Sequence, residues 1–235
     1  LAESFTCYVI DLPGLGDSDW TSGTDFTFTA QARRLGLLIE ALRLDAYALV
    51  AHDTGATLAR LVALSQPQRV TRLAMINTEM PGHRPPWIPF YQFTAGLPLA
   101  RSVFRTLLSW RWFCSSSMGM GQFYTDKTLF DAPGYIAPYV DPLIRSKRRM
   151  RGMLAYLRGI EWAVVDRLRQ QHREIDADVL LLWGVNDRTF PVDLAEAMVE
   201  QFEREVHFVR LPEASLMPQE ERPEEVLDSL IPFLS

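Results

Sequence analysis

The sequence predicts an α/β protein in which a mostly parallel sheet is flanked by helices. Two observations support this class. Short apolar runs alternate with segments of helical periodicity, and the alternation stops over residues 81–176 and then resumes. The 235 residues are enough for one domain with a sizeable core. We therefore expect a core built from residues 1–80 and 177–235, interrupted by a mostly helical insertion at 81–176 that is rich in aromatic residues and proline.

The elements follow in order from local patterns. Phe5–Ile10 is a strand-like run that leads into a turn at 13–16. Residues 29–42 have helical periodicity, and Leu35, Leu38, Ile39 and Leu42 are predicted to form one buried face. The other elements are compact apolar runs interpreted as strands and amphipathic segments interpreted as helices: strands at 47–51, 70–76, 179–183 and 206–211, and helices at 54–65, 192–202 and 224–234.

The composition excludes some classes of function. With a formal net charge of -5, the chain lacks the excess of positive charge that is typical of nucleic-acid-binding proteins. Cys7 and Cys114 lie far apart, which fits a reducing compartment, and we find neither a signal peptide nor an apolar run long enough to span a bilayer. We expect a cytoplasmic protein with no membrane partner, no cofactor and no metal, and leave its oligomeric state open.

The most informative window lies around Asp53, where a predicted strand runs into a predicted helix through one residue. Ala51 stands two residues before it and Gly55 two residues after it. A sharp strand-to-helix turn holds its apex in strained backbone dihedrals and favours small neighbours. The apex side chain then stands over the carboxyl edge of the sheet, at a helix N-terminus that favours an anion. The alternative is that Asp53 only caps the helix.

Three motifs in order resemble the α/β-hydrolase superfamily. They are the turn Asp11–Ser18 (DLPGLGDS), the elbow His52–Gly55 (HDTG), and Trp183–Asp187 (WGVND) ahead of Pro191. The insertion at 81–176 looks like the cap domain of that superfamily. An aspartate at the apex, preceded by a histidine, resembles the branch that contains haloalkane dehalogenases and epoxide hydrolases.

The resemblance implies roles for individual residues. Asp53 would attack a saturated carbon that bears a leaving group, forming an alkyl ester on the enzyme. The backbone N–H of Thr54 would be one oxyanion donor. Asp187 would orient a catalytic histidine, although it could be only a turn residue, and Glu79 is an alternative acid.

The expected histidine is missing. In the resembled families it follows the last strand, and here Leu216 occupies that slot; with a local change of register, Gln219 is the alternative replaced position. Leucine cannot accept a proton. The four histidines of the chain could substitute only through a new arrangement: His52, His83, His172 and His207.

Substrate class is only partly predictable. The tryptophan that many such dehalogenases carry after the nucleophile is Thr54 here, and the two arginines of fluoroacetate-type enzymes are replaced by Thr54 and Thr57, which argues against small carboxylates. Epoxide hydrolases use two cap tyrosines, and no spacing rule chooses between the candidates here, of which we take Tyr124 and Tyr156 forward: Tyr91, Tyr124, Tyr135, Tyr139 and Tyr156. Trp87 could line the pocket mouth. Packing is the alternative role for each, and the aromatic cap suggests a small apolar substrate.

The chain opens without Met and close to its first strand-like run. The resembled fold has earlier strands and an oxyanion loop, so we expect these in a longer protein. Two functions remain open. One is a hydrolase of carbon–halogen or epoxide bonds with impaired turnover. The other is a ligand-binding or self-alkylating pseudoenzyme on the same fold. An esterase would need serine at position 53.

Overall fold

The computed structural model describes all residues from Leu1 to Ser235. Its four strands are β1 (Tyr47–His52), β2 (Val70–Ile76), β3 (Asp178–Gly184) and β4 (Val206–Leu211). Its helices are α1 (Phe28–Ala41), α2 (Thr54–Ser65), α3 (Trp87–Ala95), α4 (Ala100–Ser109), α5 (Arg111–Ser115), α6 (Ala137–Arg145), α7 (Lys147–Arg158), α8 (Trp162–Gln171), α9 (Val192–Val199), α10 (Pro218–Glu221) and α11 (Pro223–Leu234). Short 3-10 turns lie at Met120–Phe123, Lys127–Asp131 and His172–Glu174.

The strands form one parallel sheet in the order β1-β2-β3-β4. The two central strands are buried along most of their length, in keeping with their apolar runs at 73–76 and 179–183, whereas burial alternates along most of the edge strand β1. Leu180 and Leu182 of β3 pack with Val226 and Leu230 of α11 in a buried cluster on the sheet. The predicted α/β class, with a parallel sheet flanked by helices, is confirmed.

The chain divides into two compact units. The sheet unit comprises residues 1–7, 28–84 and 161–235, and the helical unit comprises residues 8–27 and 85–160. These bounds differ from the expected cap at 81–176, because α8 belongs with the sheet. Both the backbone N–H and the hydroxyl of Thr29 donate to the Glu161 carboxylate at 2.8 Å, at the start of α8.

The helical unit has its own core. Ala95, Ala100, Met150 and Leu154 form a buried cluster that joins α3, α4 and α7. The turn at 13–16 crosses α7 at Gly152, where an added Cβ would lie 2.3 Å from the Gly14 carbonyl oxygen. This close crossing explains why residues 8–27 share a unit with the inserted helices.

Three local predictions differ from the structure. Phe5–Ile10 is not a strand: Tyr8, Val9 and Ile10 are exposed and have no strand beside them to supply hydrogen bonds. The predicted leucine face of α1 is also wrong at Leu38, which is 38% exposed; the small residues Ala32 and Gly36 are buried instead. The helix expected at 192–202 ends at Val199.

All strands are parallel, so their carboxyl ends meet at one edge of the sheet. Asp53 follows β1, Glu79 follows β2, Asp187 follows β3 and Leu216 follows β4. This edge contains the candidate site.

Candidate active site

Asp53 occupies a strained backbone position between β1 and α2. Its φ of 51° and ψ of -130° are unusual for a residue with a side chain. Its backbone N–H donates to the Asn77 carbonyl at 2.8 Å, and its carbonyl accepts from the Thr78 hydroxyl at 2.8 Å. The carboxyl makes no N-cap hydrogen bond; the α2 group that hydrogen-bonds it is the Thr54 N–H, at the first helical position rather than the second or third that a capping side chain binds. The helix-cap alternative therefore lacks the contact that would define it, and the geometry is that of an elbow.

Small residues flank the elbow, but with less crowding than predicted. A Cβ added at Gly55 would lie 4.0 Å from the Ala51 methyl, which is ordinary van der Waals contact. The strand and the helix therefore approach closely without touching at this point. The strain resides in the dihedrals of Asp53 rather than in a steric demand at Gly55.

Three carboxyl groups converge at the site. Burial raises the pKa of Asp53 well above its ordinary value, and the charges of Glu79 and Asp187 raise it further. The backbone N–H of Thr54 hydrogen-bonds the Asp53 carboxyl and opposes the rise. Asp53 is therefore easier to protonate than a solvent-exposed aspartate, and only its ionised form can act as a nucleophile.

Asp187 is buried and held at both oxygens. The Asn77 side-chain amide donates to its Oδ2 at 2.7 Å, and the Thr189 backbone N–H donates to its Oδ1 at 2.7 Å. Burial raises the pKa of Asp187 to about 6, although these hydrogen bonds favour the charged form. Asn77 is fixed in turn, since its Oδ1 accepts from the Gly184 N–H at 2.9 Å.

A buried arginine, Arg60, is hydrogen-bonded to residues that surround the elbow. The Nη2 group of Arg60 donates to the hydroxyls of Thr57 and Thr78, at 2.8 and 3.1 Å, and to the Glu79 carbonyl at 2.9 Å. The Thr57 hydroxyl then donates to the Glu79 carboxylate at 2.7 Å. Burial lowers the pKa of Arg60 to about 10, so it stays charged at neutral pH. The network connects α2 to both Glu79 and the Asp53 carbonyl.

The loop after β4 places Leu216 beside the elbow. The Nε2 of His52, the residue before Asp53, hydrogen-bonds the Leu216 carbonyl at 2.7 Å. Leu216 is 4% exposed. The Asn186 N–H donates to the Ala214 carbonyl at 2.9 Å, which joins this loop to the one that bears Asp187. The backbone frame for a residue at 216 is present, with an apolar side chain in it.

The alternative position, Gln219, lies in α10. Its side-chain oxygen is buried and has no hydrogen-bond partner. Residue 219 belongs to a helix that contacts α11, whereas Leu216 lies in the loop that hydrogen-bonds His52. Of the two predicted positions, Leu216 is therefore the one that lies beside the elbow.

The other histidines have structural partners. The Nε2 of His83 hydrogen-bonds the Thr189 carbonyl at 2.8 Å, and the His207 ring packs against Phe233. His172 is buried against Phe202, and its two ring nitrogens contact the Arg60 guanidinium and the Gln201 side chain. Burial lowers the pKa of His172 to about 3, and that of His52 is also lowered by burial.

The three predicted substrate-contact residues all lie in the helical unit. The Trp87 indole N–H is buried without a hydrogen-bond partner. Tyr124 is buried and packs its ring against Phe130 at 5.1 Å, and Tyr156 is buried in α7. Within this unit, Tyr124 belongs to an aromatic cluster.

A groove of ≈ 440 Å³ in the sheet unit lies between α1, α2 and α8. Arg33, Leu61 and Arg167 are among its lining residues, and none of the three site carboxyls lines it. No group of three or more His, Cys, Asp or Glu side chains is arranged to hold a metal ion. No helix combines the length and apolarity that crossing a membrane requires.

The chain belongs to the family described as alpha/beta hydrolase fold, whose sequence pattern matches residues 1–223. It is 25% identical over 260 residues to epoxide hydrolase 4 of Homo sapiens, covering 99% of this chain and 66% of that protein. It is also 25% identical over 238 residues to haloalkane dehalogenase 2 of Mycobacterium tuberculosis, covering 98% of this chain and 79% of that protein.

Solved structures show the same fold. An alpha/beta hydrolase enzyme from a Medee basin deep-sea metagenome library has a TM-score of 0.75 at 16% identity, over 95% of this chain and 77% of its own. The enol-lactonase from Burkholderia xenovorans has a TM-score of 0.74 at 16% identity, over 95% and 78%. The superfamily resemblance predicted from the three motifs is thus confirmed.

Sequence reasoning missed the supporting residues. Arg60 is the only charged residue of α2, an irregularity in an apolar helix that could have identified it. Asn77 carried no such signal, because its partner Asp187 is 110 positions away in sequence.

Proposed function

We propose that this α/β hydrolase uses Asp53 to attack a carbon that bears a halide or an epoxide oxygen, and that it releases the product slowly. An Asp53 carboxylate oxygen would bond to the carbon, while the carbon–halogen or carbon–oxygen bond breaks and its electron pair leaves with the halide or alkoxide. The alkoxide would take up a proton. The single observation that carries the proposal is Asp53 at the strained apex between β1 and α2.

The second step is where activity would be lost. Hydrolysis of the alkyl ester needs a base that takes a proton from water, and loss of a general base typically costs ~10²–10⁴-fold in rate. Position 216 holds leucine next to His52, and Asp187 has no histidine there to orient. The Thr54 N–H is the proposed oxyanion donor. Trp87, Tyr124 and Tyr156 are proposed substrate contacts, for a small apolar substrate.

A second candidate is a non-catalytic ligand-binding protein on the same fold. The raised pKa of Asp53 favours it, because a protonated carboxyl is a poor nucleophile. In that case the site would bind an apolar ligand and form no ester.

Intact-mass spectrometry separates the two. The protein is incubated with a panel of haloalkanes and epoxides, and any adduct is mapped by peptide digestion. A persistent adduct on Asp53 that is absent from the Asp53→Ala variant supports the slow hydrolase. An unmodified protein with no product in solution would rule out alkylation and leave the binding protein.

A further inference from the structure

A buried asparagine, Asn77, connects the two loops that carry Asp53 and Asp187. It follows β2 directly, and its φ of 30° lies in the left-handed region, which asparagine tolerates better than most residues. All three residues belong to the sheet unit. Since buried polar groups are stable only when they are hydrogen-bonded, the partners of Asn77 show what it holds in place.

The backbone of Asn77 is hydrogen-bonded to both neighbours of β2 in the sheet. Its N–H donates to the Leu182 carbonyl of β3 at 3.2 Å, and its carbonyl accepts from the Asp53 N–H at 2.8 Å. Because β2 lies between β1 and β3, these hydrogen bonds extend both strand pairings by one residue. The backbone at the elbow is therefore fixed relative to the end of β3 through Asn77.

The side chain of Asn77 holds the carboxylate of Asp187. Its Nδ2 donates to Asp187 Oδ2 at 2.7 Å, and its Oδ1 accepts from the Gly184 N–H at 2.9 Å. The Gly184 N–H can bind only the amide oxygen, so the amide nitrogen must face Asp187. Hydrogen bonds that are donated to a carboxylate favour its charged form. Asn77 therefore stabilises the negative charge of Asp187.

The negative charge of Asp187 acts on Asp53. Burial, and then the charges of Glu79 and Asp187, raise the pKa of Asp53. The buried cation of this network, Arg60, donates to the Glu79 carbonyl. Asn77 is uncharged, so it stabilises the Asp187 carboxylate without cancelling the repulsion between that carboxylate and Asp53, as an arginine or lysine in its place would.

We propose that Asn77 is a positioning residue that keeps Asp187 ionised near Asp53 and so controls how readily Asp53 ionises. The consequence for alkylation rests on the proposed function, whereas the effect on the two carboxyl groups does not. A carboxyl that is held protonated by a neighbouring charge is a weak nucleophile. Asn77 would then slow the attack by Asp53, a step that is separate from the ester hydrolysis affected by Leu216.

The test is a pH titration of the side-chain carboxyl carbons by NMR, with Asp53→Asn and Asp187→Asn to assign the signals. Asn77→Gly keeps the positive φ and removes the amide. In this variant the pKa of Asp187 should rise above about 6, by about 1–2 pH units for the lost hydrogen bond. The pKa of Asp53 should fall, because Asp187 then carries less negative charge when Asp53 ionises. A residue with a merely structural role would not move the two carboxyls in opposite directions.

A second variant, Asn77→Asp, keeps the shape of the side chain and places a carboxyl against Asp187. The two facing carboxyls should share one proton, so the pKa of Asp187 should rise here too, while that of Asp53 should not fall. The control is Asn186→Gly, the same substitution at the only other asparagine of the chain, which is exposed and adjacent to Asp187 in sequence. It should leave both titrations unchanged. Circular dichroism verifies that each variant is folded.

Alkylation provides a separate measurement. The rate of adduct formation at Asp53 should reach its midpoint at a lower pH in Asn77→Gly than in the wild-type protein. A wild-type protein that forms no adduct would refute the proposed function, and the two titrations would still decide the role of Asn77. The proposal is overturned if Asp187 titrates at the same pH in the wild-type protein and both Asn77 variants, or if the pKa of Asp53 does not fall in Asn77→Gly.

Discussion

The elbow after β1 and the loop after β4 lie side by side, yet they are built differently. The elbow carries a polar network in which Arg60, Thr57 and Thr78 hold Glu79 and the Asp53 carbonyl. The loop at 211–217 is held mainly through its backbone, and its central side chain is Leu216. One region presents a buried carboxyl surrounded by polar side chains, and the other presents an apolar side chain on an ordered backbone. In the proposed mechanism this difference would separate bond formation from bond hydrolysis.

The largest expected effect comes from restoring the base. Leu216→His should hydrolyse the Asp53 ester ~10²–10⁴-fold faster than the wild-type protein, because an imidazole at this position can take a proton from water with Asp187 to orient it. The decay of the adduct is followed by intact mass after removal of substrate. Leu216→Asn is the control, polar but without a useful base. If the adduct had the same lifetime in Leu216→His and Leu216→Asn, the lack of a histidine at position 216 would not be what slows hydrolysis of the ester.

The next effect concerns the support of the elbow. Arg60→Met should lower the free energy of unfolding by about 1–3 kcal/mol for each buried acceptor left without a donor, because the guanidinium donates to the Thr57 and Thr78 hydroxyls and to the Glu79 carbonyl. Urea denaturation measures the change. Arg33→Met, on the exposed side of α1, should change stability by less than about 0.5 kcal/mol. Equal losses in the two variants would mean that the buried network does not stabilise the elbow.

A smaller effect should appear in the pH dependence of alkylation. The pKa of Asp53 is raised, so the adduct should form faster as pH rises and the carboxylate becomes the major form. Removing the neighbouring negative charge with Glu79→Gln lowers that pKa and should move the profile to lower pH. The rate of adduct formation is measured across pH, with Glu40→Gln on α1 as the control. A midpoint that does not move in Glu79→Gln would contradict the coupling of the carboxyls.

The smallest effect is on stability at the elbow. A carboxyl whose pKa is raised by folding stabilises the folded state below its unfolded pKa, and this contribution is lost as pH rises through the folded pKa. Asp53→Asn removes the charge and should raise stability by about 0.5–2 kcal/mol at alkaline pH, with less gain at acidic pH. Thermal melts at several pH values test this. A gain independent of pH would indicate relief of backbone strain alone.

Several features of the site were predictable because they depend on neighbours in sequence. The helix α2 was predicted as residues 54–65, as observed, since its apolar spacing and its elbow are local signals. The strand at 70–76 was likewise predicted as observed. The face of α1 was not, because Ala32 and Gly36 are buried, whereas hydrophobicity alone favoured Leu38.

The sequence by itself determined the α/β fold with its parallel sheet and the position of Asp53 between a strand and a helix, since both depend on local residue patterns. The assignment of Leu216 to the histidine position stays a prediction. Only the tertiary structure decided what surrounds them. Asn77 reaches Asp187, Arg60 reaches Glu79, and His52 reaches the Leu216 carbonyl across 164 positions of sequence. It also decided that Phe90, Phe93 and Trp112 are exposed, because apolar composition cannot distinguish a packed helix face from an uncovered one.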